Sequence, residues 1–251
     1  MYMRLVQAKA KPAEIVRLRW HYDEKVVPAL QKTTGCLYAC LMQGTRTPDE
    51  VISMTLWENQ SSADAYESSG LFAKLLDEVK PMLAESSEWR VELSKDLKLE
   101  QVPVPEEPTV KAFPIAVMSR EINAHQERPK DLFLRVVSLK IRPEKRDEFS
   151  DLYLHEIIPA LHETPGCRHA YLLMPPAENQ EALSLTMWDS KEAADQYEQS
   201  GRFADLVDKV KHTFTDLFQW KMRLDHAQKM SATSDDLAVV RYNMLAGKRF
   251  K

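Results

Sequence analysis

Four tyrosines form two pairs, Tyr22 with Tyr153 and Tyr66 with Tyr197, and the members of each pair stand 131 residues apart. Each lies on an apolar stripe at helical spacing, where a buried phenol needs a partner for its hydroxyl. Such a hydroxyl can donate to an oxygen of a bound ligand. His21 is next to Tyr22 and His155 is two residues after Tyr153, so each is a candidate general base. These six are the candidate catalytic residues. Trp57 and Trp188 repeat the 131-residue spacing, as do Tyr38 and His169. Flat rings of this kind line sites for aromatic ligands, which makes these four the candidate substrate-binding residues. Aromatic side chains also dominate ordinary cores, so packing is the competing reading, above all for Trp89 and Trp220 and next for Trp57 and Trp188.

Other chemistries lack their residues. None of the seven histidines is matched by a histidine 131 residues away: His21 corresponds to Leu152, and His169 to Tyr38. No H-x-x-x-H, C-x-x-C or H-E-x-x-H spacing occurs, so no dedicated metal site is expected. Six scattered glycines form neither G-x-G-x-x-G nor a Walker loop, and no tightly bound nucleotide cofactor is expected. Cys36 and Cys167 each follow a glycine, and Cys40 makes three cysteines in all. Cys36 and Cys40 lie four apart in an expected strand, roughly 13 Å, beyond disulfide reach. They are expected to be small buried thiols in a cytoplasmic protein. The net charge of −4 offers no positive field for nucleic acid or an anionic membrane. No stretch nears the ~18 apolar residues of a membrane span.

The spacing of 131 is general. VVPALQKTTGC ends at Cys36 and IIPALHETPGC at Cys167; SMTLW ends at Trp57 and SLTMW at Trp188; ADAYESSGLFAKLLDEVK begins at Ala63 and ADQYEQSGRFADLVDKVK at Ala194. The register runs without a gap from Arg4/Arg135 to Leu93/Leu224. About a third of the positions are identical, against a chance level of ~1 in 15. The chain therefore divides into unit 1 (1–98), a linker (99–130), unit 2 (131–229) and a tail (230–251).

Each unit must place its rings on a sheet and its helices. Residues 2–9 and 133–140 have strand character. Pro12 and Pro143 suit the first turn of a helix, which runs to about Leu30 with Ile15, Leu18, Tyr22 and Val26 on one face. Pro28 and Pro159 are expected to kink or end its last turn. Gly35 and Gly166 open the strands CLYACLMQ and CRHAYLLM, and EVISMTLW and EALSLTMW follow. Asn59 and Ser190 are candidate N-caps of a second helix, interrupted at Gly70 and Gly201. The segments WRVELSKDL and WKMRLDH, led by Trp89 and Trp220, complete a β-α-β-β-α-β order. Ile52, Met54 and Leu56 on one strand face and Thr55 and Trp57 on the other leave no wet face. The face without helices therefore needs a cover, and the sheet of the other unit is the nearest one. PIAVMSREINA from Pro114 and DLAVVRYNMLA from Asp236 are similar enough to suggest short added strands, one near Ile115 and one near Leu237.

The β-α-β-β-α-β unit, the strands ending in Trp and the run A-D-x-Y-x-x-S-G-x-F resemble the antibiotic biosynthesis monooxygenase superfamily. The resemblance covers both units. It implies an α+β fold in which two ferredoxin-like units, fused in tandem, pack their sheets face to face as an intramolecular version of a dimeric α+β barrel. It implies a pocket between helices and sheet in each unit. It implies a cofactor-independent monooxygenase, or a related oxidation or isomerisation, on an aromatic or quinol-like metabolite. In such an enzyme the substrate loses a proton and reacts with O₂ itself while the protein orients it, stabilises its anion and excludes water. A haem-degrading branch is disfavoured, because its helix-two Trp and its His ten positions later are Tyr66 and Leu76 here, and Tyr197 and Val207. His169 and Tyr171 in unit 2, against Tyr38 and Cys40 in unit 1, suggest two pockets lined differently. A binding module, or an interaction protein keeping the fold, is the alternative, and both a monomer with an internal pseudo-dimer and a homodimer are open.

Overall fold

The computed structural model describes residues 1–84, 89–93, 99–103, 109–118, 132–175, 181–215 and 239–249. Unit 1 contributes β1 (Tyr2–Lys9), α1 (Ile15–His21), α2 (Val27–Gln31), β2 (Cys36–Gly44), β3 (Glu50–Trp57), α3 (Gln60–Ser68), α4 (Leu71–Val79) and β4 (Trp89–Leu93). The linker contributes β5 (Leu99–Pro103) and β6 (Thr109–Met118). Unit 2 repeats the pattern as β7 (Phe133–Leu139), α5 (Arg146–Leu152), α6 (Ile158–His162), β8 (Cys167–Leu173), β9 (Ala182–Trp188), α7 (Lys191–Gln199) and α8 (Arg202–Val210), and the tail adds β10 (Val239–Arg249).

Antiparallel pairing runs β1-β3-β2-β10-β7-β9-β8-β6 and returns to β1, closing a barrel. The fourth strand of each half is not the one expected. WRVEL forms β4, which pairs with β5 in a separate two-stranded sheet; its counterpart from Trp220 lies outside the described residues. The place beside β1 belongs to β6, with Tyr2 opposite Pro114 and Val6 opposite Val110. The place beside β7 belongs to β10, with Phe133 opposite Asn243 and Val137 opposite Val239. These strands are not edge additions. β6 runs on past Pro114 to pair with β8 (Ile115 with Leu173), and β10 pairs along β2 (Met244 with Met42). Each carries a register shift at the same place, Ile115/Val117 and Met244/Ala246. Closure leaves the barrel without open edges, the hazard of an antiparallel sheet.

Apolar side chains divide into three cores, as strands apolar on both faces require. Met3, Met54 and Leu56 face the barrel interior with Leu134, Leu185 and Met187 of unit 2. Trp57, Leu18 and Leu75 lie between sheet and helices in unit 1, and Trp188, Phe149 and Leu206 do so in unit 2. Asn59 Oδ1 and Ser190 Oγ accept from the backbone N–H of Ser62 and Ala193, capping α3 and α7.

Pro28 and Pro159 do not end the first helix. Each has no N–H to return to the preceding turn. The helix absorbs this just upstream in a π turn, Tyr22–Val26 and Tyr153–Ile157, where Val27 N–H reaches back to Tyr22 O and Ile158 N–H to Tyr153 O. It then continues to Gln31 and His162. Such turns recur at functional sites, and here each begins at a paired tyrosine. No helix among the described residues is long and apolar enough to cross a membrane.

Candidate functional site

In strand β1, Met3 and Leu5 point into the barrel, so the alternation sends Arg4, Val6 and Ala8 toward the helices. In β3 the same alternation sends Val51, Ser53 and Thr55 that way. With Tyr22 of the π turn, Tyr66 of α3, and Phe72, Leu76 and Val79 of α4, they enclose a cavity of about 80 Å³. Its equivalent in unit 2, lined by Arg135, Tyr153, Ser184, Thr186 and Tyr197, is about 40 Å³. The polar groups are therefore the same in both, and the wall is what differs. Leu18, Leu83 and Ala8 of unit 1 correspond to Phe149, Phe214 and Leu139. Phe214 is held in place by a bridge to Ile141 and is fully buried, as Leu83 is bridged to Ala10. On α4, Phe72, Leu76 and Val79 are half-buried, whereas Phe203, Val207 and Val210 of α8 are buried. The unit 1 cavity is thus the larger and the more accessible.

The tyrosines fall into two kinds. Tyr22 Oη donates to the backbone carbonyl of Cys40 at 3.1 Å and lies 2.9 Å from Ser53 Oγ. Tyr153 repeats this with Tyr171 O at 3.4 Å and Ser184 Oγ at 2.9 Å. Their protons are spent inside the protein, which makes them structural members of the cavity wall rather than ready donors. Tyr66 and Tyr197 are also buried, yet no hydrogen bond ties either hydroxyl to another described residue. Burial raises the pKa of both phenols above the ordinary value, so each is a neutral donor near pH 7.

Trp57 and Trp188 do not line the cavities. Each is fully buried and donates its indole N–H to the threonine two residues back, Thr55 Oγ1 or Thr186 Oγ1, at 2.9 Å. Their rings instead back Tyr66 and Tyr197 at 5.0 Å between centroids. His21 is outside the cavity, its Nε2 3.2 Å from Glu78 Oε2 of α4. His155 is exposed, with Nδ1 2.9 Å from Asp151 O. Tyr38 and His169 belong to the barrel side of the sheet. Tyr38 Oη meets Met244 Sδ at 3.6 Å, and His169 stacks on Tyr171 at 6.1 Å with its pKa lowered, first by burial and then by Arg168. The expected difference between pockets at Tyr38/His169 and Cys40/Tyr171 is therefore located elsewhere, at Leu18/Phe149 and Leu83/Phe214.

Sequence reasoning missed Arg4 and Arg135. Each is 2% exposed, and a buried guanidinium needs a partner. Arg4 lies over the Phe72 ring at 4.6 Å and the Tyr66 ring at 5.5 Å, and its Nη2 donates to Glu67 Oε2 at 3.2 Å. Arg135 lies over Phe203 at 4.1 Å and Tyr197 at 5.7 Å, 3.7 Å from Glu198 Oε2. A matched arginine inside two apolar strands was the available signal. Among the described residues no group of three His, Cys, Asp or Glu side chains is placed to hold a metal ion.

Residues 1–78 and again 132–209 match the profile of the antibiotic biosynthesis monooxygenase family. Among solved structures, a candidate monooxygenase of Fusobacterium nucleatum subsp. nucleatum is similar at 10% identity and TM-score 0.67, covering 99% of this chain and 94% of its own. A candidate monooxygenase of Lactobacillus acidophilus gives 9% and 0.63, covering 99% and 95%. An anthrone oxidase-like protein gives 13% and 0.57, covering 99% and 92%. At these identities the likeness is one of fold. No curated protein matches the sequence.

Proposed function

The chain belongs to the antibiotic biosynthesis monooxygenase family, and on that premise we propose that unit 1 oxidises an aromatic or quinol-like small molecule with O₂. The observation that carries this reading is the unit 1 cavity: apolar walls from Leu18, Leu75 and Phe72, with Arg4 and Tyr66 as the polar groups whose donors the described residues leave largely unused. A flat apolar body fits between the helices and the sheet, and the polar end fixes its orientation. Unit 2 keeps the polar groups but fills the space with Phe149 and Phe214, so it serves to complete the barrel.

The proposed reaction needs no separate reductant. The substrate, written SH₂, supplies two electrons and two hydrogens. One oxygen atom of O₂ enters it to give S=O, and the other leaves as water. The protein holds the electron-rich ring system away from bulk water and stabilises its anion at Arg4 and Tyr66. Trp57 acts behind the site by fixing the ring of Tyr66.

The test is O₂ uptake with a panel of anthrones and hydroquinones, under ¹⁸O₂, followed by mass spectrometry. One labelled oxygen per product, lost in the Leu18→Phe/Leu83→Phe variant, supports the reading. Ligand binding in the same cavity with no oxidation above the uncatalysed rate would replace it with a binding module.

A further inference from the structure

Arg4 has five N–H donors, and among the described residues its side chain makes one hydrogen bond, to Glu67. That partner is a poor one. The Glu67 side chain is 57% exposed while that of Arg4 is 3% exposed, so the carboxylate keeps most of its water and screens the buried charge weakly. Arg4 lines the cavity, and its remaining donors make no hydrogen bond among the described residues. Tyr66 Oη is a second buried donor with no partner among the described residues, and its ring is one of the two that Arg4 covers. Arg4 and Tyr66 are therefore neighbouring donors on one cavity, whose other polar side chains, Tyr22, Ser53 and Thr55, are already engaged with Cys40 O, with each other or with Trp57. Among the described residues, the cavity lining contains no carboxylate and no histidine. It can receive a negative oxygen, but it has no ordinary base with which to make one.

We propose that the cavity takes its ligand as a preformed oxyanion, a carboxylate or ionised enol on a flat apolar body, held by Arg4 and Tyr66, and that Glu67 is the counter-ion it displaces. This rests on the reading of the unit 1 cavity as the working site. A bidentate guanidinium contact gives the anion its orientation. Glu67 turns out to solvent at little cost because it is already largely solvated. The donor pair then discriminates between an anion and its neutral isostere, since a buried charge left without a partner is costly.

The test uses the full chain and two probes of nearly equal shape, 1-naphthoate and 1-naphthamide, titrated by calorimetry. We expect the naphthoate to bind about tenfold or more tightly than the amide. Glu67→Gln, a surface change, removes the competing anion and tightens naphthoate severalfold with the amide unaltered. Arg4→Met levels the two probes. Arg4→Lys, which keeps the charge but not the fork, gives an intermediate ratio. Equal affinity of the two probes for the wild-type chain, or a Glu67→Gln variant with an unchanged ratio, would overturn the inference while leaving the cavity as the site. Binding of neither probe, or binding that Leu18→Phe/Leu83→Phe does not abolish, would overturn the site and the inference together.

Discussion

Phe149 and Phe214 meet with 6.1 Å between ring centroids at the base of the unit 2 cavity, in the positions that Leu18 and Leu83 hold in unit 1. Two leucines against two phenylalanines, with Ala8 against Leu139, go with a cavity of about 80 Å³ on one side and about 40 Å³ on the other. The pair separates two copies that are otherwise closely matched in their polar groups.

Exchanging the pair moves the cavity. Phe149→Leu/Phe214→Leu opens unit 2 and costs about 1–3 kcal/mol per substitution through lost packing. Calorimetry is expected to find one ligand site per wild-type chain, two in this variant, and none in Leu18→Phe/Leu83→Phe. Two sites in the wild-type chain would show that Phe149 and Phe214 do not close unit 2.

The paired tyrosines are expected to respond in opposite ways. Tyr22→Phe removes a donor to Cys40 O and a partner of Ser53, lowering urea stability by about 1–2 kcal/mol. Tyr153→Phe costs less, because its carbonyl contact is longer, 3.4 Å. Tyr66→Phe removes a hydroxyl with no partner among the described residues, so stability stays level or rises by up to about 1 kcal/mol. Ligand affinity falls in that variant alone.

The buried thiols set an alkaline limit. Burial is the first cause that pushes Cys36, Cys40 and Cys167 from the ordinary value near 9 up to about 12. Below pH 9 both folded and unfolded thiols keep their protons and this stabilisation is complete. Between pH 9 and 12 the unfolded chain loses protons that the folded chain retains, so stability falls as pH rises, by up to about 1.4 kcal/mol per thiol per pH unit. Urea titrations under reducing conditions at pH 8, 9 and 10 measure the slope. Replacing all three cysteines by alanine is expected to reduce it, leaving the part set near pH 10 by the buried tyrosines, whose pKa values burial also raises.

Two glycines with the same left-handed backbone are expected to differ in cost. Gly70 has φ +77° and nothing within 4 Å of an added Cβ, so Gly70→Ala costs about 1–2 kcal/mol of conformational strain. Gly35 has φ +78°, and an added Cβ would stand 2.3 Å from Ser62 Oγ. Gly35→Ala adds an overpacking cost of about 1–3 kcal/mol, and Ser62→Gly should recover that part alone. Equal losses in the two variants would show that the helix-to-strand turn can shift away from α3.

The repeat, the order of elements and the two apolar faces of each strand were legible in the sequence because they depend on local periodicity. Met3 and Leu5 alternate with Arg4 and Val6, and that fixes two faces wherever the strand ends up. The caps at Asn59 and Ser190 were legible for the same reason. The fourth strand was not. Val110 and Val239 are equivalent through their pairing with Val6 and Val137, but they are 129 residues apart. The segments leading to them differ in length by two residues, so the 131-residue register breaks before it reaches them. Their pairing is also a long-range choice, which no local pattern encodes.

The site divides along the same line. Sequence alone determined that this chain carries two matched sets of tyrosines, tryptophans and arginines on two copies of one unit. Only the tertiary structure decided that Tyr22 spends its proton on Cys40 while Tyr66 keeps its own. It alone decided that the tryptophans stand behind the cavities rather than line them, and that Phe149 and Phe214 narrow one cavity while Leu18 and Leu83 leave the other open. Residue type and spacing set which groups can meet. Which hydroxyl finds a partner, and which space is left unfilled, depends on contacts between elements far apart in the chain, and close packing resolves those only when all of them are in place.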